Sequence, residues 1–262
     1  MIEFTGVTKN FRGQPALNSI SFLVEKGAAC GYVGPNGAGK TTTAKIIVGL
    51  EKPDSGVVAV SCDSEFSNLK HTGEDLKSTD LNLKSEIGYV PETPRLYESL
   101  TPIETITFVA LLRKFDKKYA LRKLDFLSEI FFFKDFLKKP LQGLSKGTKQ
   151  KVVISMALMF NPKILVLDEP TDGLDVQSVF SLKRFIKSFT YHGGSVFYSS
   201  HLLDIVENIC DKVYFINGGV IAGEYAQKDF AEKKGYLENL LMDSIGDTTD
   251  QKLIDAFVED KI

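Results

Sequence analysis

The sequence predicts an α/β fold with buried parallel strands, and three observations carry the prediction. Ala28 to Val33, Lys163 to Leu167 and Ser195 to Ser199 are compact apolar or β-prone runs, and helical patterns lie between them. The chain opens on short alternating segments that read as an antiparallel strand pair. It carries a second hairpin pattern, Val213 to Ile216 and Val220 to Ala222, joined by Asn217-Gly218-Gly219, whose chemistry tolerates positive φ.

Taken in order, Ile2, Phe4 and Val7 and then Leu17, Ile20, Phe22 and Val24 alternate on either side of Arg12-Gly13-Gln14-Pro15. Ala28 to Val33 follows and ends in a glycine cluster, Thr42 to Leu50 has helical spacing, and Pro53-Asp54-Ser55-Gly56 is a turn signal. Residues 61–86 are polar and serine-rich and read mostly as loop. Pro102 to Phe136 reads as helical. Its surroundings, Arg95 to Ser145, hold ten basic and six acidic residues, either a patch for a phosphate-rich surface or a solvated helix face. A further helix is expected near Ser145, a natural N-cap, and past residue 223 Leu237, Leu240, Leu241 and Ile245 recur at helical spacing.

Composition narrows the class. The 262 residues are 43% hydrophobic and 25% charged, and 32 Lys and Arg against 34 Asp and Glu leave a net charge of −2. That balance argues against long disorder and against a strongly basic nucleic-acid binder, so no nucleic-acid partner is expected. Cys30, Cys62 and Cys210 are odd in number and widely spaced, which fits a reducing compartment and neither a disulfide framework nor a zinc site. No window approaches the ~18 uninterrupted apolar residues of a membrane-spanning helix.

Gly34-Pro35-Asn36-Gly37-Ala38-Gly39-Lys40-Thr41 matches G-x-x-x-x-G-K-[ST] directly after an apolar strand and before a helix. Such a loop turns backbone N–H groups toward the α- and β-phosphates of a nucleoside triphosphate, Lys40 reaches the β- and γ-phosphates, and the Thr41 hydroxyl ligates Mg²⁺. In Ile164-Leu165-Val166-Leu167-Asp168-Glu169-Pro170 a buried strand delivers two adjacent carboxylates. Asp168 is suited to hold Mg²⁺ and Glu169 to orient or deprotonate the attacking water. Ser199-Ser200-His201 brings an imidazole to the same sheet edge, and Leu144-Ser145-Lys146-Gly147-Thr148 opens a helix with a second phosphate-seeking start.

In this order, from about residue 2 to 224, the motifs resemble those of the ABC ATPase family. The resemblance places the P-loop at 34–41, with Thr42 following, the Q-loop at Tyr89-Val90-Pro91-Glu92, the signature at 144–148, the D-loop at Gly173-Leu174-Asp175 and the switch histidine at His201. It implies a P-loop NTPase of ABC type, a mixed sheet core with an antiparallel β subdomain and an α-helical subdomain inserted at about 95–145, over residues 1–224, and a C-terminal helical extension over 225–262. It further implies ATP and Mg²⁺ as cofactors, Phe11 as the ring stacked on adenine, Ser145, Gly147 and Asp175 as nucleotide contacts, and Glu92 beside Thr41 and Asp168 as metal ligand. The signature has Lys146 and Thr148 where the commonest form has Gly and Gln, and Glu92 replaces Gln; both departures resemble the branch serving exporters of antibiotics, peptides, polysaccharides and lipids.

The family pattern implies two ATP-binding subunits, identical copies or paralogues, meeting head to tail so that Lys40 of one faces Ser145 of the other. It also implies a separate transmembrane permease subunit, received by a groove at residues 92–140, and a peripheral location on the cytoplasmic face of the membrane. Two other readings stay open: a soluble ABC-type ATPase acting on ribosomes or DNA, and a regulator that binds ATP and hardly hydrolyses it.

Overall fold

The computed structural model describes residues 1–62, 68–71 and 85–230. β1 (Ile2–Phe11) and β2 (Gln14–Val24) form the expected antiparallel pair, with Arg12 and Gly13 both at positive φ in the turn. β4 (Ser55–Ser61) pairs antiparallel with β1, and β5 (Asn68–His71) with β4, so the sheet order is β2-β1-β4-β5. β5 lies where a loop was expected; its partner β4 supplies the ladder that local composition does not announce.

The second sheet runs β10-β9-β3-β8-β7-β6, with β3 (Ala29–Val33), β6 (Ile87–Val90), β7 (Ile164–Asp168), β8 (Ser195–Ser200) and β9 (Lys212–Asn217) parallel. β10 (Val220–Ala226) turns back antiparallel on β9 through Gly218 and Gly219. Every residue of β3, β7 and β8 is buried, which is why these strands read as continuous apolar runs.

Each face of that sheet carries its own core. On one face α1 (Lys40–Ile47) and the antiparallel sheet close over Tyr32, Phe197 and Tyr214, and Phe22 packs among them, its ring stacked on Phe4 at 4.4 Å. On the other lie α2 (Pro102–Leu112), α3 (Lys117–Ile130), α4 (Lys146–Leu158), α5 (Val176–Tyr191) and α6 (Leu203–Ile209). The chain described ends with α7 (Gln227–Phe230), whose Phe230 is buried. The tail helix expected beyond it lies outside the described residues. No helix among the described residues is long and apolar enough to cross a membrane.

The helical run expected from Pro102 to Phe136 is two helices and a 3-10 turn. Thr101 opens α2 with a reciprocal capping box to Glu104. Lys114, at φ 53, ends that helix, and Asp116 caps the next by accepting from the Tyr119 N–H at 2.7 Å. Phe132 (φ 59) closes α3 before the turn Lys134–Phe136.

Candidate functional site

The loop from Gly34 to Gly39 wraps around the ammonium of Lys40, which donates to the Gly34 carbonyl at 2.7 Å and the Pro35 carbonyl at 3.2 Å. Gly34 is demanded by packing, since a Cβ there would sit 2.0 Å from the Ile216 carbonyl oxygen. Gly39 (φ 111) is demanded by conformation, because it turns the chain into the first residue of α1. A cavity of about 180 Å³ opens here, lined by Ala16, Asn36, Gly37, Gly39, Lys40, Thr41, Thr42, Glu92 and Glu169.

β7 delivers Asp168 and Glu169 to the same place. Asp168 is fully buried, and Ser199 Oγ donates to its Oδ1 at 2.5 Å. Burial raises its carboxyl above the ordinary carboxylate range, against the lowering effect of the Ser199 hydroxyl. Glu169 has φ 47, the left-handed region that costs a non-glycine residue ~1 kcal/mol or more. Its N–H donates to the Ser199 carbonyl at 3.0 Å, and its carbonyl accepts from the Asp172 N–H at 3.2 Å, so the turn is held from both sides. The side chain thereby lies beside three groups, although its Oε1 makes no hydrogen bond among the described residues. Oε1 stands 3.5 Å from Lys40 Nζ and 3.0 Å from His201 Nδ1, and Ser200 Oγ donates to Oε2 at 3.2 Å.

Thr41 Oγ1 donates to Glu92 Oε2 at 3.0 Å. Asp168 Oδ2 is a buried carboxylate oxygen with no hydrogen-bond partner, as a cation ligand would be. Among the described residues no three His, Cys, Asp or Glu side chains form a metal cage. Thr41, Glu92 and Asp168 therefore fit a hard divalent cation that takes its other oxygens from phosphates and water.

The remaining expected residues lie outside this cavity. Phe11 is 44% exposed at the β1–β2 turn, with Lys9 Nζ 5.2 Å from its ring centre, and Ala16 farther along β2 lines the cavity. Pro35 and Ala38 shape the loop without lining the cavity; the Ala38 N–H donates to the Pro35 carbonyl at 3.2 Å. Ser145 caps α4 by accepting from the Thr148 N–H at 3.2 Å, and the backbone of Gly147 presses on Gly173. Asp175 caps α5 by accepting from the Ser178 N–H at 2.9 Å. Signature and D-loop thus touch each other, away from Lys40 of the same chain.

Sequence reasoning passed over Ser199 and Ser200, which hold the two acids, and Lys151, which pairs with Asp175 at 2.5 Å. The two serines had a signal: a β-prone run that ends in hydroxyl residues beside the acid-bearing strand.

A family model described as "ABC transporter" matches residues 17–172. The ABC transporter ATP-binding protein NatA of Bacillus subtilis is 31% identical, over 84% of this chain and 87% of its own. The SkfA peptide export ATP-binding protein SkfE of the same organism is 29% identical, over 92% and 95%. A dimeric, post-hydrolysis structure of the ATP-binding cassette MJ0796 bound to ADP and Pi is 25% identical, covers 88% of this chain and 100% of its own, and has a TM-score of 0.74. A match over more than half the chain, on a phosphate loop faced by two acids, has one meaning: the chain belongs to the ABC transporter family, as an ATP-binding and ATP-hydrolysing subunit.

Proposed function

We propose that this subunit powers an exporter, hydrolysing MgATP between two ATP-binding subunits and driving a separate membrane-embedded subunit from the cytoplasmic face of the membrane. The observation that carries the catalytic reading is the carboxylate of Glu169, placed 3.5 Å from Lys40 Nζ and 3.0 Å from His201 Nδ1 at the mouth of the phosphate loop. Export is supported by the likeness to SkfE, whose name records peptide export.

In this reading Lys40 and the loop N–H groups bind the β- and γ-phosphates, and the exposed ring of Phe11 stacks on the adenine. Thr41, Asp168 and Glu92 hold Mg²⁺, which when bound neutralises charge on the phosphates. Glu169 orients a water and takes its proton as the water oxygen bonds to the γ-phosphorus and the bond to the β–γ bridging oxygen breaks. His201 stands beside Glu169 and faces the γ-phosphate. Ser145, Gly147 and Asp175, outside the cavity of their own chain, meet the nucleotide of the second subunit, which gives them a reason to be grouped where they are. Residues 1–224 form the ATPase unit, 95–145 its helical subdomain and 225–262 the extension.

Affinity capture of the full chain from gently solubilised native membranes tests the assembly. A stoichiometric integral membrane protein is the expected companion. Ribosomal or DNA-bound proteins in its place overturn the reading.

A further inference from the structure

A cleft of about 660 Å³ opens at the other end of the parallel strands from Lys40. Ile164 and Ser195, the first residues of β7 and β8, lie in it, whereas Asp168 and Ser200 end the same strands beside the phosphate loop. Its walls are apolar: Phe126 on α3, Leu158 on α4, and Phe185 and Phe189 on α5. Phe126 is 68% exposed, an uncommon state for a ring beside an apolar wall. The rim carries Lys26, Lys123, Lys163 and His192, and among the described residues no carboxylate lines the cleft. Lys163 pairs with Glu86 at 3.2 Å and Lys123 donates to Asn161, so two of the three rim lysines are fixed in place.

The described chain ends on this same side. The Gln227 N–H donates to the Asp211 carbonyl (2.8 Å), the Asp211 N–H to the Ala29 carbonyl (2.8 Å) and the Val196 N–H to the Ala28 carbonyl (2.9 Å). These bonds line up the end of β10 and the starts of β9, β3 and β8. Three strand spacings, on the order of 15 Å, separate Gln227 from the cleft, and a dozen helical residues span ~18 Å. The residues that follow have the complementary chemistry: 236–262 hold seven Asp and Glu against two Lys, with Leu237, Leu240, Leu241 and Ile245 at helical spacing.

We propose that residues 236–262 of this chain dock in the cleft, their apolar side chains against Phe126, Phe185 and Phe189 and their carboxylates on Lys26 and Lys123. Docked there, the tail ties α3 of the helical segment to α5 of the sheet core, a restraint at the far end of the molecule from the nucleotide.

Zero-length carbodiimide cross-linking of the full chain, at a dilution that keeps it monomeric, tests this directly. Amide links from Lys26 or Lys123 to carboxylates between Glu238 and Asp260, recovered from the monomer band, are expected. Links confined to dimer-sized species, which would make the occupant a second copy's tail, overturn the proposal, as does their absence. A second measurement uses Cys62, which lines the cleft while Cys30 and Cys210 are buried. Leu240→Asp with Leu241→Asp is expected to speed maleimide labelling of Cys62 severalfold, and equal rates contradict docking.

Discussion

Lys151 Nζ lies 2.5 Å from Asp175 Oδ2, joining the helix capped by Ser145 to the loop that follows Glu169. The two side chains are unequal: Lys151 is 7% exposed and Asp175 52%. Removing the buried partner leaves a carboxylate that water solvates, whereas neutralising the exposed one strands an ammonium in the interior. Asp175→Asn, which keeps a capping side chain, is expected to cost about 1–3 kcal/mol, and Lys151→Met less than about 1 kcal/mol, in urea unfolding. The sign with pH is also fixed. Lys151 holds the Asp175 carboxyl down to about 2, so this stabilisation is full above the ordinary carboxylate pKa and is lost as pH falls from about 4 to about 2. Asp175→Asn should flatten that part of the acid-unfolding profile.

Gly147 admits the D-loop backbone. A Cβ at this position would stand 2.2 Å from the Gly173 carbonyl oxygen, a backbone atom that cannot swing aside. Gly147→Ala is expected to cost about 1–3 kcal/mol and to lower ATPase turnover while equilibrium nucleotide binding at Lys40 persists. Unchanged turnover would show that the two loops move independently.

Asp168 is a charge the fold carries at a cost. Burial raises its carboxyl, so the folded chain binds that proton more tightly than the unfolded chain does, and stability is lost as pH rises from about 4 through the raised value. Asp168→Asn is expected to be more stable than the wild type at pH 7, with the gap closing toward pH 4, and to have lost ATPase activity. Equal melting profiles at both pH values would contradict this.

Local chemistry made much of this site legible. The phosphate loop is contiguous, and Asp168 and Glu169 end a strand whose apolar run is unmistakable. What escaped depends on register. Asp168 pairs with Ser199 across two parallel strands 31 residues apart, and no local pattern says which hydroxyl will face which acid. The left-handed turn at Glu169 is likewise imposed by Ser199 and Asp172 through backbone bonds. The break at Lys114 was available in principle, since Asp116 is a good helix cap, but the apolar pattern continues through Phe115, which packs edge-on against Phe160.

The measurement that tests the central claim most directly is light scattering of Glu169→Gln in saturating MgATP, beside its steady-state ATPase rate. The substitution keeps the size of the side chain and removes the proton acceptor between Lys40 and His201. A stable ATP-dependent dimer with turnover reduced about 10²–10⁴-fold is the predicted result. A monomer at saturating nucleotide, or wild-type turnover, would contradict it.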